Sequence, residues 1–181
     1  MHIPADATTA IEGIDYAISL REILWGVSLV ALTMAIHGFG VTVMLRVAGG
    51  LERRIQRRKG FLLGLGILIL STWMLMFVHL FEVFVWAAFF FWKQAFTNPS
   101  ICYYFALNEY TTLGSNYSLP QDWRLLEGCI ATAGLLTFAW STGALLPLLQ
   151  AFQKDQLRYL TLEHGGPEPA ATPPPGRRSV P

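Results

Sequence analysis

The chain has 181 residues, of which 53% are apolar and only 14% charged, with a formal net charge of +1. The charged share is about half that of an ordinary soluble domain, which argues for a membrane protein, and nothing in the overall balance points to nucleic acid as a partner. Two cysteines, Cys102 and Cys129, stand at no metal-binding spacing and are too few for a disulfide framework. One bond between them and a pair of free thiols acting as small apolar residues both stay open.

Taken in order, residues 1–22 are polar and mildly acidic, with Asp6, Glu12 and Asp15. They lack the basic start and small-residue cleavage site of a secretory signal, so the segment is expected to be retained on the extracytoplasmic side. Residues 23–45 carry no acid or base except His37, and their length suits one crossing of a hydrocarbon layer about 30 Å thick. A connector over 46–60 then holds Arg46, Arg53, Arg54, Arg57, Arg58 and Lys59 against the single acid Glu52. Such a basic connector belongs in the cytoplasm by the positive-inside rule.

A second crossing is predicted over 61–92. It is longer than one straight span needs, and its far end is dense in aromatic residues, as expected where lipid meets water outside. Residues 124–150 form the third crossing, with Lys154 and Arg158 following on the cytoplasmic side. The tail over 151–181 is expected to extend the last helix briefly and then to be disordered from about 165, where proline and glycine accumulate.

Between the second and third crossings, residues 93–123 are neither long nor apolar enough to cross. Asn98-Pro99 is a good helix start, with Asn98 as cap and Pro99 in the first turn. A short buried helix over 101–110 would then deliver the chain into the polar run Thr111, Thr112, Leu113, Gly114, Ser115 and Asn116. Backbone at membrane depth outside a helix must be buried in protein or line a watery path. Threonine hydroxyls, a glycine and a row of carbonyls would suit a dehydrated cation, and Gly114 and Asn116 occupy alternate positions able to adopt left-handed backbone.

Several stretches in fixed order carry a likeness: Ile36-His37-Gly38-Phe39-Gly40, His79-Leu80-Phe81-Glu82 with Trp86-Ala87, Tyr110-Thr111-Thr112-Leu113-Gly114, Trp123 to Gly128, and Gly134-Leu135-Leu136 with Trp140-Ser141-Thr142. In these the chain resembles a group of small bacterial proteins of the tetrameric potassium-channel superfamily, in which one extra N-terminal crossing precedes a two-helix pore unit. The likeness spans roughly residues 30 to 150.

It implies an all-α integral membrane protein with three transmembrane helices, a re-entrant pore helix and a filter loop. It also implies a homotetramer in the lipid bilayer of the bacterial inner membrane, and the basic connector sets the N-terminus outside and the C-terminus in the cytoplasm. The implied filter is Thr111 to Asn116, with the permeant potassium or other monovalent cation at Thr112, Leu113 and Gly114, no catalysis and no further cofactor. The resemblance also places the third crossing along the inner pore. Members usually read Thr-Thr-Leu-Gly-Tyr-Gly-Asp, whereas Ser115, Asn116 and Tyr117 stand here after Gly114. The bracing tyrosine is replaced, so weakened potassium preference is expected.

Ionisable groups inside spans are functional candidates by default. Glu109 and Tyr110 end the short helix, and Glu109 could brace the filter from behind or meet the ion. His79 and Glu82, three apart, share a helix face and could clamp the pore helix or hold a proton or metal. Counted from Arg46 and Phe61 at the inner edge, His37 and His79 should lie more than 10 Å apart in depth, too far to share an iron. Gly134, Gly143 and Pro147 are candidates for a gating hinge in the last crossing, with close packing as the alternative for each glycine. A non-conducting accessory or haem-binding membrane subunit is the competing reading. A membrane enzyme built on His79 and Glu82 is a third, short of a third ligand or nucleophile.

Overall fold

The computed structural model describes residues 20–55 and 61–163. Among them there is no strand, and three helices are long and apolar enough to cross a membrane. The chain forms α1 (Leu20–Ile55), α2 (Phe61–Trp92), the short α3 (Pro99–Tyr110), a 3-10 turn (Gln121–Trp123) and α4 (Leu125–Glu163). Residues 1–19 of the segment expected on the extracytoplasmic side, and the tail expected to be disordered from about 165, lie outside the described residues.

One helix end differs from expectation. Although the apolar run stops at Leu45, α1 continues to Ile55 through the first part of the basic connector. Arginine, leucine and alanine are good helix formers, and the charged heads reach water from the helix surface. As expected, α4 extends past residue 150, reaching Glu163 with Pro147 inside it. The second crossing runs over the expected residues.

At its start α3 is capped by Asn98, whose side-chain oxygen accepts from the Ser100 amide at 2.9 Å, with Pro99 at the first helical position. Its buried face, Cys102, Phe105, Ala106 and Tyr110, lies in a core shared with Val83, Trp86 and Phe90 of α2 and Leu126, Ile130 and Ala133 of α4. α1 packs against α2 and α4, and it adds Leu29 to that core. Of the aromatic residues at the end of α2, Phe84, Phe91 and Trp92 are exposed, but Trp86, Phe89 and Phe90 are buried. Half of the expected interfacial belt is therefore core: Trp86, for example, donates its indole N–H to Thr33 of α1 at 2.9 Å.

At this end of the bundle Lys93 places its ammonium 3.7 Å from the Trp92 ring centroid and 4.6 Å from that of Trp25. Such cation–π contacts join the top of α1 to the end of α2. Both cysteines are free thiols: Cys102 is buried in the core, and Cys129 faces Gly26 across the α1–α4 contact.

Glycines set the closest approaches. A Cβ at Gly40 would meet Val78 at 2.5 Å, so α1 and α2 touch there because the side chain is missing. Gly134 lies under the backbone carbonyl of Tyr110, which a Cβ would overlap. Gly134→Ala should therefore destabilise the fold by about 1–3 kcal/mol, because backbone on both sides leaves nothing that can yield. A Cβ at Gly143 meets nothing within 4 Å. Gly143→Ala should accordingly stay within about 1 kcal/mol of the parent or gain slightly from helix propensity. Thermal unfolding of the two purified variants in detergent tests the contrast.

Candidate functional site

Four helices converge on one buried polar cluster. α1 supplies His37, α2 supplies His79 and Glu82, α3 supplies Tyr110, and α4 supplies Thr137 and Ser141. His37 Nδ1 lies 3.0 Å from Glu82 Oε1, and neither side chain is exposed. Tyr110 donates its hydroxyl to Glu82 Oε2. The same hydroxyl lies 2.5 Å from Thr137 Oγ1 and 2.9 Å from His79 Nδ1. Ser141 Oγ closes the circuit, 3.0 Å from His79 Nε2 and 3.2 Å from His37 Nε2.

Among the described residues no buried side-chain nitrogen or oxygen lacks a partner. Satisfaction on this scale is what an ionisable group at membrane depth requires, since an unpaired one there is costly.

The expected separation of the two histidines in depth is overturned. Their ring centroids are 5.1 Å apart. The error lay in treating Arg46 as the inner end of the first helix: His37 stands eighteen residues before the true end at Ile55, and His79 eighteen residues after Phe61. Antiparallel helices of equal rise bring such positions level. His37 is thus a third side chain with a donor atom suited to a metal, one that a reading of His79 and Glu82 alone missed. Its signal in the sequence was its place as the one ionisable residue in an uncharged run, together with the glycines beside it that let α1 approach.

α3 ends on a Schellman motif. The Leu113 amide donates to Asn108 O at 2.9 Å and the Thr112 amide to Glu109 O at 3.0 Å, which places Thr112 in the left-handed position usually held by glycine. Thr112 has φ 60° and Gly114 has φ 72°. The left-handed pair is therefore Thr112 and Gly114, not Gly114 and Asn116 as the sequence suggested, because the helix cap claims the first of them. β-branched residues rarely adopt this region, and such strain concentrates at functional loops.

Beyond the cap, Thr111 bonds its hydroxyl back to Leu107 O at 2.8 Å, while Thr112, Leu113, Gly114 and Asn116 are exposed. Ser115 Oγ accepts from the Tyr117 amide at 2.9 Å and donates to the Tyr117 carbonyl at 3.0 Å, making a local turn. The returning chain is held where the Leu119 amide donates to Glu127 Oε1 at 2.8 Å.

Glu109 lies behind this loop. Burial, reinforced by the Glu127 carboxylate, raises its pKa above the ordinary value, while the Ser115 backbone amide pulls the other way. Of the remaining candidates, Gly134 serves close packing against α3 as described, Gly143 has open space where a Cβ would stand, and Pro147 lies inside α4.

Two outcomes follow. Tyr110→Phe strips a partner from Glu82, Thr137 and His79 together and should destabilise the protein by about 1–3 kcal/mol, read from thermal unfolding. Because the folded protein holds a proton on Glu109 more tightly than the unfolded chain does, its contribution to stability falls as pH rises from 4.5 through the raised pKa. Glu109→Gln should flatten that part of the stability–pH curve.

Searches of protein-family models, curated proteins and solved structures each found no match to this chain.

Proposed function

We propose that the chain is the subunit of a pore-loop cation channel, a homotetramer conducting potassium or other monovalent cations passively across a bacterial inner membrane. In this reading the N-terminus is outside and no catalysis or organic cofactor is involved. One observation carries it. A helix of 12 residues, about 18 Å long and too short to cross, is clasped between two spans and delivers an exposed, non-helical threonine–glycine strand.

The depth of that strand supports the re-entrant geometry. Tyr110 bonds to Glu82, ten residues and so about 15 Å from the end of α2 at Trp92, roughly halfway through a hydrocarbon layer. Leu113 is 78% exposed on the single chain. Irregular backbone at that depth needs further protein or a water-filled path beside it. Several copies arranged around a common axis supply both.

Glu109 lies on the helix side of the loop, beside Glu127, and we read it as a brace for the filter. Ser115, engaged with Tyr117 in a local turn, does not supply the bracing of the usual tyrosine, which favours weakened discrimination between potassium and sodium. The accessory reading remains in its non-conducting form. A haem-binding subunit would need its two histidines to aim at one iron from opposite faces of a macrocycle, whereas here both Nδ1 atoms face Glu82 and both Nε2 atoms face Ser141, so the rings lie side by side.

Rubidium uptake into vesicles reconstituted with the full chain tests conduction. Uptake above that of protein-free vesicles, abolished by Gly114→Pro and largely retained by Glu109→Gln, is the expected result. Absence of uptake together with a monomeric mass in detergent would favour the accessory subunit. Reversal potentials under opposed potassium and sodium gradients should show a modest preference, and strong potassium selectivity would contradict the assignment of Ser115.

A further inference from the structure

We propose that His37, His79, Glu82 and Tyr110 bind one divalent transition-metal ion of the zinc class, held between the first span and the short helix. A tetrahedral zinc site with bonds of about 2.0–2.1 Å sets its donor atoms about 3.3 Å apart. His37 Nδ1 and Glu82 Oε1 are 3.0 Å apart, His79 Nδ1 and Glu82 Oε2 3.5 Å, and His79 Nδ1 and Tyr110 Oη 2.9 Å. One donor atom from each of His37, His79 and Glu82 lies within 4.8 Å of the others. Two imidazoles, one carboxylate and one phenol oxygen make a four-coordinate set of borderline character, which favours zinc, cobalt or iron over magnesium or calcium.

Hydrogen counting shows that two neutral, metal-free rings do not satisfy the cluster. With Glu82 ionised, its contact with His37 requires a proton on His37 Nδ1. Tyr110 spends its one hydrogen on Glu82, so the contact with His79 requires a proton on His79 Nδ1. Both Nε2 atoms of neutral rings would then be acceptors facing Ser141 Oγ, which has one hydrogen to give.

A proton added to one ring removes the conflict, and so does a metal ion on the Nδ1 side. With the ion, each Nε2 becomes an N–H donor, and the serine oxygen has two lone pairs to receive them. Ligating histidines characteristically give their second N–H to such an acceptor, and here both give it to the same one. Thr137, 2.5 Å from Tyr110 Oη, orients the fourth ligand. Coordination of Tyr110 as phenolate releases its proton to solvent and sets two negative ligands against the two charges of the ion. The side chain of His79, 13% exposed, gives the site its edge toward the surface.

Bound there, the ion would fasten α1 to the helix that carries the loop. That consequence for conduction rests on the channel reading, whereas binding itself does not.

The test uses the full chain in detergent, stripped with a chelator and titrated with Co²⁺, then with Zn²⁺. One cobalt per chain with the intense visible bands of a tetrahedral site, displaced by one zinc, is expected. Glu82→Gln and His37→Asn should each weaken zinc binding at least about 100-fold. Ser141→Ala, which keeps every ligand, should weaken it about 10-fold. If either ligand variant fails to elute like the parent, Ser141→Ala carries the test alone.

A chain that takes up no stoichiometric cobalt, or one whose affinity is unchanged by Ser141→Ala and Glu82→Gln, overturns the proposal and leaves a hydrogen-bonded proton network. Metal binding without rubidium uptake would sink the channel reading and leave this site standing.

Discussion

A carboxylate with no exposure, about two-thirds of the way along an apolar helix, is the constraint to which the rest of the structure answers. Glu82 can occupy that position only if donors meet its oxygens, since a buried, unpaired charge is far too expensive. Its two oxygens face His37 and Tyr110, with His79 beside them. Those partners come from three helices, and each is in turn held by Ser141 or Thr137 of the fourth. One buried charge thus fixes the relative height of all four helices.

The apolar packing serves this arrangement. Gly40 lets α1 close on α2, bringing His37 within reach of Glu82, and Gly134 lets α4 close on the end of α3, setting Thr137 beside the Tyr110 hydroxyl. At the far end Trp25, Phe89, Trp92 and Trp123 gather around Lys93, with Arg21 4.9 Å from the Trp123 ring centroid. Two anchorage points at different depths, one polar and one aromatic, leave α1 little freedom to slide along or rotate against its neighbours.

The loop inherits its position from the cluster. Tyr110 is the last residue of α3 and the immediate neighbour of Thr111, so whatever holds the phenol also fixes where the non-helical strand begins. The strand carries local restraints of its own: a helix cap with threonine in the left-handed position, a serine turn, and a tether from Leu119 to Glu127. A segment so restrained at both ends but exposed between them is suited to presenting backbone carbonyls.

What the sequence determined by itself was everything local. Long, mostly apolar runs announced three candidate spans, the basic connector marked a single end of the bundle, and Asn98-Pro99 marked the start of the short helix, because each signal depends on neighbouring residues. Where α1 ends was not legible, since good helix formers carry it past the last apolar residue, and that one misjudged boundary hid the pairing of His37 with His79. The left-handed threonine was hidden as well, because a glycine-like position is imposed on Thr112 by the helix cap and not by its own preference.

Only the tertiary structure decided which ionisable residues meet. His37, Glu82, Tyr110 and Ser141 are far apart in the chain, and hydrogen bonds between helices depend on their relative height and rotation, which no stretch of one helix encodes alone.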